Sequence, residues 1–229
     1  MKFRGGSVVG QASGSVAGQT FSHNRYGAYV RNRSIPVVST TSYALNAKSY
    51  LAGASAAWKA LTAAQQAAWV TWAQTNPIVD SFGEKQVLTG HAAYVQLNRR
   101  ILQDGGTQID VPPVGAGPVS LITLTATFDI GLGTFALAFT PTPIGATNKL
   151  WIKAAVVNSL GITYVRNLLK LVKISAANVA TGLDTEADIE LRFGPLAAGQ
   201  KVVFYVAVYQ PASGLLSGYS RVDGTVVST

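Results

Sequence analysis

The run Lys201-Val202-Val203-Phe204-Tyr205-Val206-Ala207-Val208-Tyr209-Gln210 decides how the chain folds. Residues 202–209 are apolar without a break, the densest such stretch in the sequence. A membrane helix needs about 20 such residues, so the run reads as a buried strand. Its β-branched and aromatic side chains are the types that suit a pleated, half-buried surface. The slightly positive mean hydropathy then reflects buried strands or subunit contacts.

Outward from this run, the chain beyond residue 118 reads with a period of two. Candidate strands are 119–128, 133–140, 149–157, 162–174, 187–193, 201–210 and 219–227. Turn residues separate them: Gly131-Leu132-Gly133, Pro141-Thr142-Pro143, Asn158-Ser159, Thr181-Gly182, Gly194-Pro195 and Ser213-Gly214. Seven strands at this spacing in about 110 residues predict an immunoglobulin-like or fibronectin type III-like antiparallel β-sandwich. Trp151 falls on the third strand, where such sandwiches often bury an aromatic. The absence of cysteine favours the fibronectin-like variety. Residues 162–174 fit a partly helical reading as well.

Upstream, residues 43 to about 104 predict three helices. In the first, Tyr43, Ala47, Tyr50, Ala54, Ala57 and Leu61 recur at spacings of three and four. Thr62-Ala63-Ala64-Gln65 fits a capping box that opens the second, whose stripe is Ala68, Trp69, Trp72 and Ala73. Asn76-Pro77 stops it, and a turn through Asp80-Ser81-Phe82-Gly83 leads to Thr89-Gly90, a cap for the third. There Tyr94, Leu97 and Ile101 form a stripe, Arg99 and Arg100 sit off it, and Asp104-Gly105-Gly106 ends the helix. The tryptophans serve first as apolar blocks for a small core. The fold class is therefore α+β: an arm over 1–42, a helical segment over 43–110, a Pro/Gly linker over 111–118 and a sandwich over 119–229. The prolines of that linker predict a stiff spacer holding two bodies apart.

The first 40 residues carry Lys2, Arg4, Arg25, Arg31 and Arg33 and no acidic residue, within a chain of net charge +8. Glycines punctuate them, Pro36 bars a helix, and no 3.6-residue period is present. This predicts an extended arm ordered by neighbouring molecules; a flexible tail or an edge hairpin of the main fold are the alternatives. Phe21, Arg25, Tyr26, Tyr29, Arg31 and Arg33 are the candidate anchoring residues, since tyrosine and arginine are favoured at protein interfaces. The same mixture suits single-stranded nucleic acid, but no nucleic-acid motif lies elsewhere in the chain, and protein contact is the preferred reading.

Chemistry finds little purchase. Two histidines, His23 and His91, and no cysteine give no metal set and no Ser-His-acid constellation, so no catalytic, cofactor or metal residue is assigned. Gly131-Leu132-Gly133-Thr134-Phe135-Ala136 matches a dinucleotide fingerprint in letters only, because a strand rather than a helix follows it. Asp184, Glu186, Asp188 and Glu190 alternate as on one face of a strand, where solvated charge that blocks edge pairing outweighs calcium binding. The amino terminus lacks the apolar core of a signal peptide, and the expectation is a soluble protein made in the cytoplasm.

Two stretches carry a family resemblance. Residues 18–37, Gly-Gln-Thr-Phe-Ser-His-Asn-Arg-Tyr-Gly-Ala-Tyr-Val-Arg-Asn-Arg-Ser-Ile-Pro-Val, form one. Residues 58–69, Trp-Lys-Ala-Leu-Thr-Ala-Ala-Gln-Gln-Ala-Ala-Trp, followed by 88–98, Leu-Thr-Gly-His-Ala-Ala-Tyr-Val-Gln-Leu-Asn, form the other. Together they resemble the amino-terminal part of a family of tailed-phage and prophage virion-associated structural proteins, over roughly the first 110 residues. The resemblance implies a non-enzymatic virion protein without cofactors. As a capsid decoration or head spike it would contact other virion proteins and assemble as a homo-oligomer, with no membrane partner. A neck or tail connector, a fibre anchor and a host-glycan-binding module are the alternatives.

Overall fold

The computed structural model describes residues 13–24, 27–35, 38–79 and 83–228, and the chain divides into two compact units, Met1–Leu45 and Asn46–Thr229. In the first unit, β1 (Gly14–Val16), β2 (Gln19–Asn24) and β3 (Gly27–Asn32) form an antiparallel meander. An extended arm was expected here. The chain instead reverses at Ala17-Gly18, where Ala17 takes a positive φ of 51° and Val16 pairs with Gln19. β3 then runs antiparallel to β2, with Gly27 opposite Asn24.

The helix α1 (Ser42–Ala57) begins in the first unit and continues into the second. Of its 16 residues Ala54 alone is buried, while Tyr43, Leu45 and Leu51 are exposed. It ends sooner than its apolar spacing suggests: Trp58–Ala60 tighten into a 3-10 turn and Leu61 is extended. The capping box at Thr62 forms: Thr62 Oγ1 accepts from the Gln65 amide, and Gln65 Oε1 accepts from the Thr62 amide at 2.8 Å. It starts α2 (Ala63–Thr75). The short pair β4 (Ile78–Val79) and β5 (Lys85–Gln86) then leads to α3 (Gly90–Gln103), capped by Thr89. Gly105, at φ +80°, and Gly106 return their amides to the Leu102 and Ile101 carbonyls, a Schellman ending. Trp69, Tyr94, Ala93 and Leu97 form the centre of this helical core, with Trp58 and Trp72 packed against it.

The remaining strands are β6 (Thr123–Ala126), β7 (Ala136–Thr140), β8 (Lys149–Val157), β9 (Lys170–Ile174), β10 (Leu183–Asp184), β11 (Lys201–Gln210), β12 (Leu215–Leu216) and β13 (Ser220–Thr225). They build two antiparallel sheets. One has the order β10-β7-β6; the other has β12-β11-β8-β9, with β13 also paired to β11. The long register of β8 on β11 runs from Lys149↔Tyr209 to Val157↔Lys201. Leu150, Ile152, Ala154, Val202, Phe204, Val206 and Val208 from the larger sheet share one core with Leu137 and Phe139 from the smaller. Burial of that many aliphatic and aromatic side chains, at about 1.5–3 kcal/mol each, is the main force holding the sheets together.

The opposite face of β8 and β11 is covered too. Ala155, Val157 and Val203 pack under Val165 and Leu169, and Trp151 lies against Tyr209 with ring centroids 5.2 Å apart. A strand buried on both faces needs no polar alternation, which explains the unbroken run 202–209. Trp151 is thus buried, but on the side away from the core shared by the sheets.

Three expectations give way. Residues 187–193 are not a strand: Glu186–Phe193 form α4, with Glu186 and Asp188 in its first turn, where acids favour a helix. Ile189 turns into the core and the acids spread around the helix, Asp188 pairing with Lys173 at 2.6 Å. Residues 162–169 are irregular apart from a turn at 166–168, and only Lys170–Ile174 pair as a strand. Finally, residues 111–118 do not hold two bodies apart, because residues 46–229 form one compact unit. Leu215 packs into the helical core, the Arg100 guanidinium donates to the Gly214 carbonyl at 3.0 Å, and Asp104 pairs with Lys149 at 2.7 Å.

Candidate functional site

The anchoring residues assigned from sequence do not gather on one surface. Phe21 lies opposite Val30, on one face of the amino-terminal sheet. Tyr29, opposite Ser22, and Arg31, opposite Thr20, lie on the other face, by the two-residue period of a strand. Arg33 follows the last strand and is exposed, its amide donating to the Gly18 carbonyl at 2.8 Å. Arg25 and Tyr26 lie outside the described residues, as do Pro36 and the Asp80–Phe82 turn. The sheet therefore carries Phe21 and Val30 on one face and Tyr29 and Arg31 on the other.

In the second unit, polar groups of α2 and α3 tie the helices to more distant parts of the chain, and Arg100 forms a joint between α3 and the larger sheet. Asn98 is buried on α3 and uses both ends of its amide: Oδ1 accepts from the Ile109 amide at 2.8 Å, and Nδ2 donates to the Tyr94 and Ile109 carbonyls. The Trp69 indole donates to the Asp110 carbonyl at 2.9 Å. Arg100, expected off the helical stripe, instead reaches Gly214, and burial lowers its pKa from the ordinary arginine value. Nothing in the local pattern of α3 marks Asn98 or Arg100, since their partners are 11 and 114 residues away.

Tyr209 closes this joint. Its hydroxyl is buried with no hydrogen-bond partner among the described residues. Burial raises its pKa well above the ordinary tyrosine value, nearby Asp104 adds to the rise, and Arg100 opposes it. The folded state therefore prefers the neutral phenol. This stability is fully present below the unfolded-state pKa of about 10 and is lost as pH rises beyond it. Tyr209→Phe should leave stability at pH 7 unchanged or slightly higher, since an unpaired hydroxyl is removed. It should also flatten the loss of stability above about pH 10, as measured by urea unfolding across pH 7–11.

Two cavities open on this unit. The larger, about 710 Å³, runs between α2, α3 and the β12 hairpin and includes Trp72, Ile78, Leu88, Arg100, Leu216 and Tyr219. The smaller, about 450 Å³, is lined by Lys153, Arg166, Leu169, Tyr205 and Tyr219 on the outer face of the larger sheet. Among the described residues no group of three or more His, Asp or Glu could hold a metal ion, and no helix is long and apolar enough to cross a membrane. The Gly131–Gly133 stretch turns between Asp129 and Thr134, which bridge each other, and no helix begins there.

Compared with known proteins, the chain matches no family model and no curated protein.

Proposed function

We propose that the chain is a non-enzymatic structural protein of a tailed-phage virion, most simply a capsid decoration or head spike. Its amino-terminal unit would attach it to other virion proteins, and its β-rich unit would be displayed. The observation that carries this reading is the lack of burial from residue 13 to residue 57. Among the described residues of that stretch only Ala54 is buried, and Val16, Ile35, Val38, Leu45 and Leu51 are at least half exposed. A helix and a three-stranded sheet left this bare gain their stability from a surface that covers them. Beyond α1 the second unit has cores of its own and needs no such cover.

The resemblance of residues 18–37, 58–69 and 88–98 to virion-associated proteins supplies the kind of partner. Repeated copies in a particle would add weak contacts by avidity, which suits a homo-oligomeric assembly. The finer fold reading, an immunoglobulin or fibronectin type III-like sandwich beyond a three-helix segment, is supported by the strand order. The order β10-β7-β6 faces β13-β11-β8-β9 across a shared core, as expected of that architecture. Quantitative mass spectrometry of gradient-purified particles tests the reading. Enrichment of this chain with the shell proteins, at a fixed ratio to them, is expected. Its absence from particles while abundant in the lysate would sink the proposal.

A further inference from the structure

The smaller cavity has a composition that the virion reading does not use. Lys153 projects from β8, Tyr205 from β11, Tyr219 from just before β13, and Arg166 and Leu169 from the stretch before β9. Among the described residues neither Lys153 nor Arg166 forms an ion pair. Asp223, two residues along β13 from the Arg221 that pairs with Tyr205, is already engaged by Lys201 at 3.0 Å and Arg221 at 3.2 Å. Lys153 Nζ instead rests 4.9 Å from the Tyr219 ring centre, and the Arg221 guanidinium 5.9 Å from that of Tyr205. The cleft thus holds surplus positive charge beside two rings, each an apolar body with a polar tip.

At about 450 Å³ the cleft is within the range of small-molecule sites. The tyrosine rings stand 6.4 Å apart at 61° to each other. That is a tilted corner rather than a parallel slot, and it cannot sandwich a flat base. No glycine-rich loop or helix start lines the cleft to cradle a phosphate. A puckered ring with apolar C–H faces, hydroxyl edges and one carboxylate meets all of these features. We propose that the cleft binds a carboxylate-bearing sugar residue of an acidic glycan. Lys153 and Arg166 pair with the carboxylate, and Tyr205, Tyr219 and Leu169 receive the ring. The inference stands on the cleft alone and is independent of the virion reading.

Calorimetric titration of the full chain with sialyllactose, trigalacturonate, lactose, adenosine monophosphate and inorganic phosphate tests it. Both acidic sugars should bind, and lactose at least about tenfold more weakly, because it lacks the charge-assisted bonds. Lys153→Gln and Arg166→Gln should each weaken the acidic sugars about tenfold with unchanged thermal melts, and Tyr219→Ala should weaken them too. Lys59→Gln, outside the cleft, should change nothing. Equal or tighter binding of adenosine monophosphate or phosphate overturns the proposal. So does an absence of sugar binding at millimolar concentration, or an undiminished affinity in the Lys153→Gln/Arg166→Gln double variant.

Discussion

Replacing Gly214 by alanine should destabilise the second unit by several kcal/mol, through a single added methyl group. Gly214 ends the turn between β11 and β12 with φ at +72°, a backbone conformation that costs an L residue about 1–2 kcal/mol. A Cβ built there would lie 2.6 Å from the Leu97 carbonyl oxygen and 3.0 Å from its carbon, both backbone atoms of α3. Backbone inside a helix cannot step aside as a side-chain tip can, so overpacking adds about 1–3 kcal/mol. The hairpin must withdraw, and the bond from Arg100 to the Gly214 carbonyl stretches with it. A fall in melting temperature of roughly 10 °C is expected. Gly117→Ala provides the comparison: its Cβ would meet Leu215 at an ordinary 3.8 Å, and a change within about 0.5 kcal/mol is expected. Equal melts for the two variants would show that α3 and the hairpin are not in contact.

Trp69→Ala should cost about 3–5 kcal/mol, the range for removing a fully buried large aromatic. Trp69 is fully buried on α2 between Trp72 and Tyr94, with ring centroids 5.8 and 5.3 Å away. Its loss opens a cavity at the centre of the helical core and frees the Asp110 carbonyl that the indole holds. Trp69→Phe separates these two effects. Most of the packing is kept and the hydrogen bond is lost, for which about 0.5–1.5 kcal/mol is expected. Urea unfolding followed by circular dichroism measures both. A midpoint for Trp69→Ala within error of the parent chain would mean that the helical core contributes nothing to the stability of the second unit.

Legibility in the sequence followed the length of each apolar run. The strands at 149–157 and 201–210 can be read to their ends because both faces are buried and polar residues bound them. The shorter strands β6, β7 and β13 occupy only parts of the spans their alternation suggests. Alternation persists in a chain after pairing has stopped. For α4 the alternating acids misled, while Ile189 and Phe193, four residues apart, carried the helical signal. In the amino-terminal unit Ala17-Gly18 and Gly27 were turn signals, and they fold the expected arm into a meander. The joint and the cleft were illegible for a different reason. Arg100 meets Gly214, and Lys153 meets Tyr219, only once distant elements have docked. No local pattern encodes such pairs.

The central claim, that the amino-terminal unit carries the chain into virus particles, meets its most direct test in one comparison. The full chain and a version beginning at residue 46 are supplied during particle assembly, and each is quantified in purified particles by mass spectrometry. The account predicts that the full chain is incorporated at a fixed ratio to the shell proteins, while the shortened chain stays folded and soluble but is left out. Incorporation of the shortened chain at the level of the full one would contradict it.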